Sequence, residues 1–460
     1  MPNRVVALLC AGLWGLLIPA ALQGAEPPQS GVAERLGALV RADQNGRSAV
    51  VVVDTSTGRT VFAHNPDLPL KPASVLKVAT AAAALEYLGA EFTFRTQFWT
   101  ENFVSGGVDT LTIVGGGDPD FTTEDAWLAA REIHKRGVRR IGRIQLDESQ
   151  FISLQAPSGQ RAYRAGSAGL PFNFNSIGFE VCPTVVGRNA VVSVDPWESG
   201  ATLAGQIKTA RGGRFTVDER GGWLRYQLGG SVSPGACVEL YRAVDDPKMY
   251  LGRTFAELLR SVGVQVNRPP VEGRRGAGAT LLYEHHSKPL VDIVRDLNHY
   301  SNNFIAEQIV LGLGMNVTGM RDRSAGLERI AAYLGRLGVP VEQVSLADGS
   351  GLSHANRLTA RAVTTVLGAM HHDVAIGPEF EISLSVSGRS GTLRERRFGS
   401  DERVVRGKTG TLDGVSSLAG YVTTAAGRHL AFAVIVNEAR SKDVARRFEN
   451  KIVELLYEAG

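Results

Sequence analysis

Apolar residues recur along this chain at two spacings, and the switches between them divide it. Residues 48–54 form a short β-branched run, Ser56-Thr57-Gly58-Arg59 a turn, and residues 60–64 a second run, which together predict a hairpin. The segment 71–89 then takes on helical character: Pro72 suits a first turn, alanine and leucine fill the interior, and Gly89 suits the end. Apolar side chains lie on nearly every side of this helix, so it is expected in the middle of a domain. Residues 92–100 return to strand spacing, and 109–146 read as strand, glycine-rich loop, helix (123–136) and strand (140–146). From 189 to 240, short alternating runs rich in Val, Thr, Gly and Arg carry no helical period, which predicts a small all-β module. Residues 255–262 are helical, and 268–279, with Pro269-Pro270 and several glycines, read as a linker. Longer elements return after Pro289. Helices are predicted over 290–298, 303–312, 324–337 and 359–371, then a strand over 403–407 and a hairpin from 418–424 and 429–437. A last helix over 443–457 places Val444, Phe448, Ile452 and Leu455 on one side.

The first 25 residues differ from all of this. Arg4, the apolar run 5–17 and the small residues around 20–25 have the pattern of a secretory leader, too short for a membrane span. The protein is therefore expected to be exported, to the periplasm or cell envelope, either free or peripherally associated with the membrane. Without the leader, Cys182 and Cys237 remain, an even pair that in an oxidising compartment makes either a disulfide or two buried thiols. With 460 residues and an ordinary apolar fraction of 43%, the chain has room for two or three domains. Its net charge of +4 is small, and Lys and Arg are scattered without a long basic run, so nucleic-acid binding gains no support.

Candidate chemistry centres on the helix at 71–89. Ser74 and Lys77 are three positions apart, hence on one face, and Lys77 is an ammonium placed where desolvation disfavours charge. A hydroxyl beside an amine able to lose its proton, at a helix start whose N–H groups favour negative charge, is a candidate activated serine. The S-x-x-K pattern is too short to carry that reading alone. Downstream lie Ser301-Asn302-Asn303 and Gly407-Lys408-Thr409-Gly410-Thr411, and the three motifs in this order match penicillin-recognising serine acyltransferases and β-lactamases. Other motifs read as plain structure. Gly115-Gly116-Gly117-Asp118-Pro119-Asp120 lacks the ending of a phosphate loop and is expected to be a turn. Asp118, Asp120 and Asp125 fail the spacing of a calcium loop. His285-His286 and His371-His372 show no metal-ligand spacing and are expected to be solvated, so no metal is expected. Asn316-Val317-Thr318 fits a glycosylation sequon.

Beyond the three motifs, the blocks around Pro72-Ala73-Ser74-Val75-Leu76-Lys77, Ser301-Asn302-Asn303-Phe304-Ile305-Ala306-Glu307, Asp348-Gly349-Ser350-Gly351-Leu352-Ser353, Ser390-Gly391-Thr392-Leu393 and Gly407-Lys408-Thr409-Gly410-Thr411-Leu412 resemble, in order, those of the low-molecular-mass class C penicillin-binding proteins. These are D-alanyl-D-alanine carboxypeptidases and endopeptidases of the bacterial cell envelope. Ser301 follows Ser74 by 227 positions, and a large insertion at that place is the hallmark of the group.

The resemblance implies an α/β, multi-domain chain with the penicillin-binding-protein and serine β-lactamase-like transpeptidase fold, an antiparallel sheet with helices on both faces, interrupted by a partly all-β insertion. The expected division is a leader (1–25), a catalytic domain (26–88 and 279–460), an inserted accessory domain (89–188 and 241–278) and the nested β-module (189–240). The insertion is expected to lie outside the catalytic core. By the same resemblance Ser74 is the nucleophile, Lys77 its base, Ser301 the proton donor to the leaving amine and Asn303 a holder of the substrate amide. Lys408, Thr409, Gly410 and Thr411 bind substrate. Stem peptides of peptidoglycan are the expected substrates and β-lactams the expected inhibitors, with no cofactor. One departure follows Phe151, where the resembled family usually has a tryptophan, an acidic pair and a Tyr-Gly-Ala-Pro run and this chain has residues 157–167 (PSGQRAYRAGS), so an acidic side chain that in relatives reaches the bound peptide is missing and the peptide preference stays open. Two other classes share these features: a serine β-lactamase, and a wall-binding protein without catalysis.

Overall fold

The structure, a computed structural model, describes residues 29–43, 46–152, 154–315, 319–398 and 404–459. The leader at 1–25 and the sequon at 316–318 lie outside the described residues.

The two ends of the chain build one six-stranded antiparallel sheet, ordered Thr60–His64, Arg47–Asp54, His429–Asn437, Val415–Thr423, Val405–Leu412, Ser385–Val386. The hairpins read at either end of the sequence thus lie side by side, with Val50 opposite Val434. The run Ala49 to Val52 is apolar at every position because both faces of its strand are covered. Ala49 and Val51 pack into the cluster of the Lys77–Leu88 helix, whereas Val50 and Val52 pack with the helices Gln29–Ala42 and Lys442–Tyr457. Gln29–Ala42, whose Val32, Leu36 and Val40 recur at the spacing of one helical face, was not expected from the sequence.

Lys77–Leu88 is the hub of the first cluster. Every residue from Lys77 to Leu85 is buried, against helices Leu290–Tyr300, Asn303–Leu313, Arg323–Arg336 and Ala360–His372. Alanines at 79 and 81–84 present little bulk, so neighbours approach closely on all sides. The expected single helix over 71–89 has a separate first turn: Ala73–Leu76 is a 3-10 turn with Ala73 in the left-handed region (φ 48°), a strained conformation for a residue with a Cβ.

A second sheet, ordered Gln265–Val266, Arg140–Asp147, Gly107–Val114, Arg95–Glu101, Thr280–His286, with Val271–Glu272 also on Arg140–Asp147, packs with helices Thr123–Lys135 and Pro247–Ser261. Thr280–His286 was expected on the catalytic side of a boundary at 278; its hydrogen bonds make it the partner of Arg95–Glu101 instead. The β-module is also drawn differently. Its outer runs, Val191–Asp195 and Val238–Ala243, flank Ser176–Cys182 in a three-stranded sheet, and only the strands between 202 and 232 form a sheet of their own. Val217, Tyr226 and Leu228 of that sheet, with Ile207 from the connection between two of its strands, share one apolar cluster with Phe98, Leu111 and Phe255. Cys182 and Cys237 form a disulfide, with Cα atoms 4.1 Å apart, one step beyond the register pair Val181 and Val238.

His285 corrects the expectation of solvated histidines. Its side chain is 13% exposed, its Nε2 is 3.5 Å from Asp118 Oδ2, and its ring meets Phe121 edge-on at 5.0 Å.

Candidate active site

The three motifs converge at the edge of the first sheet. Pro72 and Lys71 are clamped to it: Ser417 Oγ donates to the Pro72 carbonyl at 2.7 Å, while Asn437 accepts from the Lys71 N–H and donates to the Lys71 carbonyl. Ser74 is half-buried in the 3-10 turn, and Lys77 is fully buried one turn later.

Lys77 Nζ has three partners: Ser74 Oγ at 2.9 Å, Asn303 Oδ1 at 2.7 Å and the Ser350 carbonyl at 2.6 Å. Two of these, the amide and carbonyl oxygens, only accept. A neutral amine gives them its two N–H groups and turns its lone pair to the Ser74 hydroxyl. Burial lowers the pKa of Lys77 from 10.5 to about 7, against the opposing pull of the Asp348 and Glu307 carboxylates. Desolvation is the dominant cause.

The Ser350 carbonyl is aimed by a loop the sequence marked only as a block of unknown role. Asp348 Oδ1 accepts from the N–H groups of Ser350 and Gly351, and its Oδ2 from that of Ser353. Glu307, buried and paired with Arg323 at 3.0 Å, accepts from the N–H groups of Gly349 and Ser350. Gly351 has φ +81°, and a Cβ there would lie 1.9 Å from the Ala73 carbonyl, so the loop reaches Ser74 only with glycine at this position.

Ser301 is the left-handed cap of helix Leu290–Tyr300 (φ 55°), and Asn302 caps the next helix by accepting from the Ile305 N–H. Lys408 Nζ donates to Ser301 Oγ and to the Thr409 carbonyl, both at 2.8 Å. Burial holds Lys408 well below the ordinary lysine value, and the charge of Lys77 acts the same way. The strand Val405–Leu412 pairs with Ser385–Val386 at Arg406 and Gly407, and among the described residues its outer edge from Lys408 to Leu412 has no strand partner. Such an edge can take an extended peptide. Gly410 lets it come close, since a Cβ there would lie 2.9 Å from the Ser74 N–H nitrogen. All eight residues singled out in the sequence therefore meet: Ser74, Lys77 and Asn303 in one network, Ser301 and Lys408 in another, with Thr409, Gly410 and Thr411 on the strand between.

A cleft of about 970 Å³ opens above Ser74, Ser301, Asn303 and Thr411. Its far wall includes Ser158, Tyr163 and Arg164, and Asn303 Nδ2 donates to the Tyr163 carbonyl at 3.1 Å. This corrects the expectation that the insertion lies wholly outside the catalytic core, although none of the lining residues comes from 189–240. Gln308, on the Asn303 helix, ties the insertion down by donating to the Gly117 and Ala168 carbonyls and accepting from the Ala168 N–H. Neither contact could be read from local pattern.

The family model of the D-Ala-D-Ala carboxypeptidase 3 (S13) family matches residues 33–459. The chain belongs to that family. This peptidase is 33% identical to a D-alanyl-D-alanine carboxypeptidase of Actinomadura sp. (strain R39), over 92% of its own length and 85% of the relative's. With a D-alanyl-D-alanine carboxypeptidase of Haemophilus influenzae it shares 26% identity, covering 86% and 88% of the two chains. The crystal structure of penicillin binding protein 4 from Haemophilus influenzae superposes with a TM-score of 0.78 at 24% identity, covering 94% of this chain and all of that one, which shows a common fold. The peptidase is a low-molecular-mass class C penicillin-binding protein, a serine-type hydrolase with the fold expected of that class.

Proposed function

We propose that this peptidase removes the terminal residue of D-alanyl-D-alanine stem peptides through an ester on Ser74. Ser74 Oγ attacks the carbonyl of the penultimate D-alanine while its proton passes to the neutral Lys77 amine. The N–H groups of Ser74 and Thr411 receive the oxyanion. Ser301 passes a proton to the leaving amine as the C–N bond breaks, and the proton that Lys77 took from Ser74 makes good that loss, so both lysines end the step as they began it. Thr409 and Lys408 hold the departing carboxylate. Asn303 holds the substrate amide after releasing the Tyr163 carbonyl. Water then cleaves the ester and restores Ser74. The observation that carries the reading is the contact set of Lys77, two acceptors and one hydroxyl around a buried amine of pKa about 7. D-alanine release from an N-acyl-D-alanyl-D-alanine peptide tests it: wild type releases it, Ser74→Ala does not, and release by Ser74→Ala would overturn the assignment.

β-Lactams enter as inhibitors that form the same ester, a role supported by the Haemophilus influenzae neighbour solved with a β-lactam. Cleavage of cross-links is supported by the open cleft and by a structural neighbour described as a peptidoglycan endopeptidase of Bdellovibrio bacteriovorus, TM-score 0.52. Mass spectrometry of muropeptides separates the two activities. Action outside the cytoplasm is supported by the Cys182 to Cys237 disulfide. The insertion serves as an accessory unit that walls the cleft through 155–164.

A further inference from the structure

One turn beside the carboxylate-binding strand has no part in the steps above. Ser390 precedes the 3-10 turn Gly391–Leu393, and Thr409 Oγ1 donates to Thr392 Oγ1 at 2.8 Å. The turn is held from several sides. The Thr392 N–H donates to Ser385 Oγ at 3.2 Å. Ser390 Oγ accepts from the Val386 N–H at 3.2 Å and lies 3.1 Å from His299 Nε2. His299 Nδ1 is 2.9 Å from the Ser383 carbonyl, which only accepts, so Nδ1 carries a proton. A Cβ at Gly391, whose φ is +58°, would fall 2.2 Å from Ser385 Oγ and 2.9 Å from the His299 carbonyl. The turn, the helix end that bears Ser301 and the strand that bears Lys408 therefore interlock around Thr392. Its side chain nevertheless remains exposed.

The proton count matters here. Thr409 donates its proton to Thr392, and beyond that bond the Thr392 hydroxyl has, among the described residues, a long 3.4 Å contact to Ser385 Oγ in which either oxygen can donate. Two hydroxyls 2.8 Å apart, one of them with a loosely held proton, match the two oxygens of a carboxylate, which accept several hydrogen bonds. We propose that Thr392 is a second hydroxyl anchor for the carboxylate of the departing residue, beside Thr409. The inference rests on the function proposed above. When the anion arrives, Thr409 turns its proton to one oxygen and Thr392 gives its own to the other.

The test compares two peptides, N-acyl-D-alanyl-D-alanine and the same peptide ending in a carboxamide, on wild type, Thr392→Val and Thr392→Ser. Valine keeps the shape and removes the hydroxyl. The expected result for Thr392→Val is a KM for the acid raised about tenfold with kcat little changed, the scale of one charge-assisted hydrogen bond. The preference for acid over amide should fall by the same factor, and Thr392→Ser should restore both. Equal losses on the two peptides would mean that Thr392 only supports the turn and would overturn the inference, as would wild-type kinetics of Thr392→Val on both. If wild type cleaved neither peptide, the function itself would fall and the inference with it, a result distinct from either of those.

Discussion

Lowering the pH through neutrality should switch Ser74 off. The folded pKa of Lys77 is about 7 against an ordinary 10.5, and the difference corresponds to roughly 5 kcal/mol disfavouring the buried ammonium. At pH 7 about half of the molecules hold Lys77 neutral, whereas an exposed lysine would be neutral in about one molecule in 3000. At pH 5 the neutral fraction drops to about 1%. The second-order rate of acylation by a labelled penicillin, measured from pH 5 to 9, should therefore rise about tenfold per unit up to about pH 6 and level off above about pH 8. Stability carries the same signature. Because the folded value is depressed, the unfolded chain binds the extra proton between about 7 and 10.5, so the Lys77 contribution to stability rises with pH across that window and is flat below it. Lys77→Ala should abolish the pH-dependent limb and slow acylation about a hundredfold or more, with the fold retained, since a desolvated amine is removed. A flat profile in wild type, or wild-type rates in Lys77→Ala, would refute the reasoning.

Three further outcomes follow from neighbouring geometry. Asp348→Asn removes a carboxylate that holds the Lys77 pKa up, so the acid limb of the acylation profile should move to lower pH; movement to higher pH would contradict the stated cause. Gly410→Ala places a Cβ 2.2 Å from Ser417 Oγ and 2.9 Å from the Ser74 nitrogen, and should slow acylation about a hundredfold, the scale of a lost oxyanion donor; an unchanged rate would place the oxyanion elsewhere. Joint replacement of Cys182 and Cys237 by serine opens a loop of 55 residues, worth about 4 kcal/mol in the chain-entropy picture, and should lower the denaturant midpoint while leaving acylation at 25 °C unaltered.

What could be read from the sequence was whatever local pattern encodes. The alanine-rich helix with Ser74 and Lys77, the hairpins at both ends and the three motifs carry their signal within a few residues of themselves. The partners that finish the site do not. Lys77 is oriented by the carbonyl of Ser350, a backbone atom whose direction is fixed by Asp348 and Glu307 and leaves no mark in side-chain type. Thr280–His286 looked like the resumption of the catalytic domain, because its pairing with Arg95–Glu101 joins segments some 180 positions apart and local spacing says nothing about it. The division at 189–240 failed for a related reason: alternating runs announce strands, but which strands share a sheet is settled by register, as between Val238 and Val181. The glycines at 351 and 410 were visible as letters. Their purpose, admitting two backbones to within contact of the Ser74 turn, required the assembled fold.

The central claim is that Ser74 is the acylated nucleophile, and the most direct measurement is to locate the adduct. Wild-type protein is incubated with a labelled penicillin, digested, and the modified peptide identified by mass spectrometry. The ester should map to Ser74 alone and be absent from Ser74→Ala, whereas a label on Ser301, Ser350 or any other serine, or undiminished labelling of Ser74→Ala, would contradict the claim.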